Sequence, residues 1–200
     1  MLSLNRKHLA TFALVAVGSA VALTSLSPSS SANATPSAMR YDIAMDGMSF
    51  AFEGPMNAEG APARGTPFVV EGYIYPANTF TTNGLLSGVL EDGSPEFPSM
   101  VVGTWTCRGW HLLDGNALTG AVVVTDQTFD FDLAVPGAQM ITTEGIELAD
   151  FDVPFERVIT GGTGRYNGLT GQHTQVYVGN GLNASQGFNT TVVLQPGRAR

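Results

Sequence analysis

The sequence predicts an all-β domain in which eight or nine antiparallel strands close into a single barrel. After residue 40, no stretch has a sustained helical period, and short β-rich runs alternate with Gly, Asn, Asp and Pro. Most of these runs are half polar, which favours antiparallel strands over a parallel sheet buried on both faces. A sheet of this size must protect its two edges, and closure into a barrel removes them.

Nine runs are predicted as strands, and turn residues separate each run from the next. They are residues 43–52, 68–75, 85–90, 100–113, 118–131, 139–148, 155–159, 171–178 and 188–194. Asp114-Gly115-Asn116 predicts a hairpin between two long strands. The Gly- and Pro-rich segment 53–66 is expected to be the longest loop. A barrel of about eight strands has an interior just wide enough for side chains or for one small ligand.

The N-terminal residues predict export. Arg6 and Lys7 precede an apolar run from 9 to 26, and Ala32-Asn33-Ala34 has the small-x-small pattern of a signal peptidase site. The apolar run is short and interrupted by polar residues, so a retained membrane anchor is the weaker interpretation. We therefore expect a secreted protein without a membrane anchor. Its expected parts are a signal peptide at 1–34 cleaved near Ala34, a flexible leader at 35–40 and a barrel domain at 41–200.

Composition excludes several classes of function. The chain has 17 acidic and 9 basic residues, a net charge of −8 at pH 7, so a phosphate backbone would be repelled and nucleic acid is not an expected partner. Cys107 is the only cysteine, which excludes a disulfide within the chain. His111 and His173 lie at no metal-ligand spacing, so no metal or cofactor is expected. No Gly-x-Ser-x-Gly motif is present, although a Cys107–His nucleophilic pair stays open.

The most specific motif is the glycine-rich run Arg157-Val-Ile-Thr-Gly-Gly-Thr-Gly-Arg-Tyr-Asn-Gly168. Its residues Gly161, Gly162, Thr163 and Gly164 indicate a strand connection with positive φ or a close backbone approach. A phosphate cradle is not indicated, because the run lacks the Gly-x-x-x-x-Gly-Lys-Ser/Thr pattern and no amphipathic helix follows it. We therefore interpret these four residues as a structural turn motif.

This run is similar to the Gly-Gly-Thr-Gly-basic-aromatic run of dirigent proteins and to the Ile-Thr-Gly-Gly-Ser-Gly run of allene oxide cyclases. The stretch Glu147-Leu-Ala-Asp-Phe151 resembles the approach to the same motif in the cyclases. The stretch Gly103-Thr-Trp-Thr-Cys107 is similar to the cyclase strand that carries a pocket cysteine. The chain thus resembles the allene oxide cyclase and dirigent barrel superfamily over 97–178, and its N-terminal third departs from it.

The resemblance implies a calycin-like barrel with a ligand in its lumen. In the cyclases the barrel holds a reactive fatty-acid epoxide in its folded conformer, and a buried Glu assists charge delocalisation. A secreted isomerase or cyclase that works without covalent catalysis on a small apolar molecule is therefore the first hypothesis. A dirigent-like or carrier barrel without turnover is the second, and a filled barrel acting through surface loops is the third. Relatives of this kind also form dimers or trimers, so a homo-oligomer is expected.

Candidate site residues follow from strand alternation. Glu71 shares a face with Val69 and Tyr73 and is the first candidate for a catalytic lumen carboxylate, the alternative being that this face meets water. Glu53, beside the loop at 53–66, is the second candidate and has the same alternative. Residues 100–113 place Trp105 and Cys107 on one face among small residues, as a cavity wall would require. The predicted pocket residues are Tyr73, Trp105, Cys107 and Phe129.

Overall fold

The computed structural model describes residues 37–82, 87–179 and 181–197. These residues form eight antiparallel strands that pair in chain order, and β1 also pairs with β8, which closes the barrel. The strands are β1 (Met39–Phe52), β2 (Pro67–Pro76), β3 (Gly103–His111), β4 (Ala121–Asp130), β5 (Met140–Leu148), β6 (Phe155–Gly162), β7 (Gly171–Val178) and β8 (Asn189–Pro196). The predicted fold class, an eight-stranded antiparallel barrel, is confirmed.

Helical structure is limited to short segments of the connections. They are α1 (Thr79–Thr82) and two 3₁₀ turns, Pro98–Met100 and Gly164–Tyr166. No helix in the described ranges is both long and apolar enough to span a bilayer. The predicted signal peptide, 1–34, lies outside the described residues, and β1 begins at Met39, so the last two residues of the predicted leader belong to a strand.

Eight of the nine predicted strands are present, and the prediction for 85–90 is wrong over the residues described there. Val89 forms only an isolated bridge with Pro95. It lies in the connection between β2 and β3, residues 77–82 and 87–102, which we call the strap. Val89 and Phe80 of the strap pack on Ala44 and Tyr75, which point outward from β1 and β2. The strap is therefore the longest connection, and the prediction that 53–66 is the longest loop is wrong. The apolar residues of the strap cover the sheet instead of joining it.

β3 shows the alternation that separates the lumen from the outer face. Its burial alternates residue by residue, with Trp105, Cys107 and His111 buried and Arg108 and Trp110 exposed. The face predicted to carry Trp105 and Cys107 is therefore the one that points into the lumen. On the outer face, Arg108 forms an exposed ion pair with Asp126 of β4, at 3.6 Å.

Side chains fill one end of the lumen, which we call the closed end. It lies beside the β2–β3, β4–β5 and β6–β7 connections, where the inward residues are large and fully buried. They include Ile74, Trp105, Phe129, Ile141, Ile159 and Leu194. The other end, beside the remaining four connections, is not filled in this way and is called the open end.

The glycine-rich motif lies at the closed end, where β6 ends and the β6–β7 connection begins. Gly164 has φ +55°, and the Thr163 hydroxyl accepts a hydrogen bond from the Met140 amide at 3.0 Å, which fastens the β6–β7 connection to the start of β5. Gly162 lies so close to β5 that an added Cβ would be 2.6 Å from the Met140 carbonyl oxygen. Gly161 has no comparable neighbour, since its nearest atom would lie at 3.7 Å. The motif is part of the barrel's structure and lies away from the open end.

Gly162→Ala is expected to lower the free energy of unfolding by about 1–3 kcal/mol, because backbone atoms must move to admit the methyl group. Gly161→Ala is the matched control and should leave stability almost unchanged. Urea unfolding of the two variants beside the unsubstituted protein measures the difference. Equal midpoints for the two variants would contradict the role assigned to Gly162.

Candidate functional site

The open end of the lumen contains a cavity of about 580 Å³. It reaches the surface beside Leu118 and Leu182, both of which are exposed. Its depth is limited by Cys107, Glu147 and Tyr177, which we call the floor. A cavity of roughly 300–1,000 Å³ is the usual size for a site that binds one small molecule.

The walls of the cavity are mainly aromatic. One group of rings comes from Phe50, Phe52 and Phe68, with centroids 5.1–6.4 Å apart. A second group comes from the strands and connections on the other side of β1. It consists of Phe151, Tyr177 and Phe188, with centroids 5.1–6.2 Å apart. Rings of this kind offer a large apolar contact area to a guest.

A bulge in β1 brings two of these rings inside. The pairing of β1 with β2 shifts register between Asp46 and Ala51, so β1 has extra residues there. Ile43, before the bulge, lies in the core cluster, whereas Phe50, at the end of the bulge, and Phe52, after it, line the cavity. The inward phase of β1 thus changes from odd-numbered to even-numbered residues within one strand.

The floor is organised around the buried carboxylate of Glu147. It accepts hydrogen bonds from side chains of four different strands, namely Cys107 of β3, Thr125 and Gln127 of β4, Arg157 of β6 and Tyr177 of β7. Gln127 Nε2 lies 2.8 Å and Arg157 Nη1 3.0 Å from Glu147 Oε1. The Tyr177 hydroxyl donates to Glu147 Oε2. A carboxylate with this many donors satisfies the condition under which a charge can be buried.

Arg157 balances the charge of Glu147 in the same buried layer. The two side chains are 0% and 3% exposed. Arg157 also donates to the Thr125 hydroxyl at 2.7 Å and to the Thr125 carbonyl at 3.0 Å. Gly145 leaves room for the arginine stem, because an added Cβ would lie 3.1 Å from Arg157 Cγ. Glu147 of the floor and Arg157 behind it therefore form a neutral ion pair that is buried and hydrogen-bonded.

The Tyr177 hydroxyl and the Cys107 thiol of the floor stay protonated. Burial, followed by the neighbouring charge of Glu147, raises the pKa of both groups well above their ordinary values. A protonated thiol is a poor nucleophile. The sequence left open a pair between Cys107 and a histidine, but neither histidine bonds to the thiol. Both nitrogens of His111 and Nε2 of His173 have no hydrogen-bond partner within the described residues, and His173 Nδ1 bonds to the Thr143 hydroxyl. Tyr177 and Cys107 already donate their protons to Glu147. The floor can therefore only accept further hydrogen bonds from a guest.

Of the four predicted pocket residues, Cys107 lines the cavity. Trp105 and Phe129 are fully buried in the lumen, but they pack in the closed end, where Trp105 Nε1 donates to Gln127 Oε1 at 3.2 Å. Tyr73 lies on the outer face of β2, and its hydroxyl donates to the carbonyl of Gly93 in the strap at 2.9 Å. These three side chains do not contribute to the cavity wall.

Neither predicted carboxylate lies in the lumen. Glu71 is exposed, because Val70 and Gly72 carry the buried phase of β2, so the alternative in which its face meets water is the one observed. Glu53 follows the end of β1 and is also exposed. The lumen carboxylate is Glu147 instead. Among the described residues, no group of three His, Cys, Asp or Glu side chains is placed to hold a metal ion.

The sequence contains a signal for this floor that strand alternation alone did not single out. Arg157 lies two residues from Phe155 and two from Ile159, so a charged side chain occupies the core phase of β6. Glu147 has the same relation to the core phase of β5, which includes Ile141. Opposite charges in the core phase of consecutive strands indicate a buried ion pair, because each is costly alone.

Comparison with known proteins shows the fold alone. No family model matches the chain, and no curated protein matches it. Among solved structures, it is similar to a pterocarpan synthase dirigent protein, with a TM-score of 0.52 and 12% identity over 78% of this chain and 81% of that one. It is also similar to a pyocyanin demethylase, with a TM-score of 0.48 and 16% identity over 79% of this chain and 98% of that one. The architecture is thus a dirigent-like barrel.

Glu147→Gln is expected to lower the free energy of unfolding by about 3–5 kcal/mol, because it leaves the buried Arg157 charge without a counter-charge. The matched control is Asp126→Asn, which removes the partner of the exposed Arg108 and should cost less than about 1 kcal/mol. Chemical unfolding at pH 7 gives both values. Losses of equal size would show that the Glu147–Arg157 ion pair does not stabilise the barrel.

Acid is expected to destabilise the protein through His173, which lies edge-on to Phe129 in the closed end. Burial, followed by the charge of Arg157, lowers the pKa of His173 from 6.5 to about 3. The unfolded chain therefore takes up this proton first, and stability is lost as pH falls from 6.5 towards 3. The slope is at most about 1.4 kcal/mol per pH unit for one proton.

His173→Gln removes that titration and should make the free energy of unfolding less dependent on pH between 6.5 and 4.5. Urea unfolding of the variant and the unsubstituted protein across this interval measures the two slopes. Parallel slopes would mean that His173 takes up its proton equally easily in the folded barrel.

Proposed function

We propose that the chain binds one small, mainly apolar molecule in its lumen and holds it in the conformation from which it cyclises or isomerises. The observation that carries the proposal is the cavity of about 580 Å³, with aromatic walls and a buried carboxylate at its floor. Confinement of this kind fixes the relative positions of reacting atoms and excludes water. It requires no nucleophile, which agrees with the protonated state of Cys107.

The floor supplies electrostatic stabilisation in this mechanism. The carboxylate of Glu147 and the oxygen of Tyr177 border the cavity as hydrogen-bond acceptors, and the carboxylate is held in place by side chains of four strands. Fixed acceptors stabilise positive charge that develops on a guest during ring closure. The buried Glu that the resemblance to allene oxide cyclases implies is in this proposal Glu147, and Glu71 and Glu53 have no part in it.

A dirigent-like or carrier barrel is the second candidate. It is favoured by the number of side chains bonded to Glu147, since a carboxylate fixed by five donors is poorly suited to exchange protons with a guest. Such a barrel would bind and orient its guest without turnover. The third hypothesis, a filled barrel acting through the loop at 53–66, has less support because the open end of the lumen contains a cavity.

The proposal also places the protein outside the cytoplasm. It rests on the signal-peptide pattern of residues 1–34, which lie outside the described part of the chain. A guest from the surroundings would enter beside Leu118 and Leu182. Western blotting of host culture fractions with an antibody to the barrel tests the location.

Filling the cavity is expected to weaken binding. Val123 points into the cavity and is 6% exposed, whereas Val124 is the next residue on the same strand and has the opposite orientation. Val123→Phe should weaken binding of the neutral fluorescent probe N-phenyl-1-naphthylamine at least about tenfold, a loss of ~1.4 kcal/mol. Val124→Phe is the matched control and should bind as the unsubstituted protein does. If the probe binds all three equally, or none of them, the lumen is not a binding site.

Native mass spectrometry of the protein purified from its own host separates the two candidates. The technique detects a retained guest by its mass, and extraction then gives the guest's identity. Incubation of the barrel with the guest's reactive precursor should give one stereoisomer in excess if the barrel steers ring closure. A carrier would return its guest unchanged.

A further inference from the structure

His111 is a buried polar side chain in the apolar wall of the cavity. It is the last residue of β3, it is only 9% exposed, and its ring lies beside Phe68 and Phe52 at centroid distances of 5.3 and 6.1 Å. Neither Nδ1 nor Nε2 has a hydrogen-bond partner within the described residues. Buried polar atoms of native proteins are nearly always hydrogen-bonded, so two orphaned nitrogens on one ring need an explanation.

The surroundings hold His111 in this position. Its amide donates to the Thr66 carbonyl at 3.1 Å, and its carbonyl accepts from the Gly65 amide at 2.8 Å, which ties the end of β3 to the segment before β2. Gly115 approaches the ring from the hairpin, since an added Cβ there would lie 3.2 Å from His111 Cε1. The ring is thus confined between the hairpin and two phenylalanines, and it lines the cavity.

Packing alone does not explain a histidine at this place. An apolar side chain such as leucine or phenylalanine beside Phe52 and Phe68 would bury no polar atom. Because the ring lines the cavity, its nitrogens can be satisfied from that side, by a group that the described residues do not provide. The floor differs in this respect, because Glu147 and Tyr177 are bonded to each other and to their neighbours.

The charge state of the ring limits what it can bind. Burial lowers the pKa of His111 below 6.5, and the charge of nearby Asp114 opposes this shift without cancelling it. A neutral imidazole offers one N–H donor and one acceptor nitrogen. A neutral oxygen such as a hydroxyl or carbonyl matches it without bringing a charge into an apolar wall.

We propose that His111 is the residue that selects the guest, and that the guest carries a neutral hydroxyl or carbonyl oxygen on the flank facing β3. The apolar body of the guest then lies between the two ring groups, above Glu147 and Tyr177. This inference rests on the proposed function, because it names the polar group of the molecule that occupies the same cavity.

Competition between two probes of equal shape tests the proposal. 2-Naphthol and 2-methylnaphthalene differ only in a hydroxyl in place of a methyl group, and each is titrated against bound N-phenyl-1-naphthylamine. The unsubstituted protein should bind 2-naphthol roughly tenfold more tightly than 2-methylnaphthalene. His111→Phe should abolish this preference, chiefly by losing affinity for 2-naphthol, and should keep its affinity for 2-methylnaphthalene.

The outcomes distinguish this inference from the proposed function. If both competitors displace the probe equally from the unsubstituted protein, the cavity binds guests but His111 does not select them. If neither the probe nor the competitors bind, the proposed function fails and the inference fails with it. Nitrogen-15 NMR of His111 in the unsubstituted protein gives a second measurement that does not depend on folding of the variant. Its ring nitrogens should shift with 2-naphthol and not with 2-methylnaphthalene, and unchanged signals would overturn the inference.

Discussion

The buried ion pair between Glu147 and Arg157 is the constraint on which the rest of the lumen depends. A charge in a protein interior is tolerated only when it is paired and hydrogen-bonded, and here the partners come from β3, β4, β6 and β7. Such a set of donors converges only inside a closed barrel. The pair therefore separates a closed end, where apolar side chains fill the lumen, from an open end where they line a cavity.

The barrel could be predicted from sequence because its signals are local. Alternation and turn residues located eight strands, and the hairpin at Asp114-Gly115-Asn116 joins β3 to β4 as expected. The strand predicted at 85–90 is wrong for a physical reason. Short apolar runs that lie on a sheet and short apolar runs that join it have the same composition. What distinguishes them here is distant in sequence, namely the outward-facing Ala44 and Tyr75 that the strap covers.

The site was harder to predict than the fold, because long-range structure sets the direction of its side chains. β2 has apolar residues on both faces, since the strap covers its outer side near Tyr73, so its alternation could not place Glu71. The bulge in β1 changes which residues point inward, so no uniform period places Phe50 in the wall. Cys107 was found because β3 alternates cleanly with small residues. Arg157 lies between two core residues of β6, and this position is the local signal of the site in the sequence.

The bulge in β1 has one more consequence. The register shift is confined to residues between Asp46 and Ala51. Before it, Ile43 packs in the core and Met45 borders both the core and the cavity, and after it Phe52 lines the cavity. One strand thus contributes to the packed core at one end and to the cavity wall at the other. Lengthening or shortening the bulge by a single residue would turn a different set of side chains towards the cavity. Residues 39–44, before the bulge, would keep their pairing with β8. If the cavity binds a guest as proposed, its selectivity can therefore diversify by small insertions and deletions as well as by substitution.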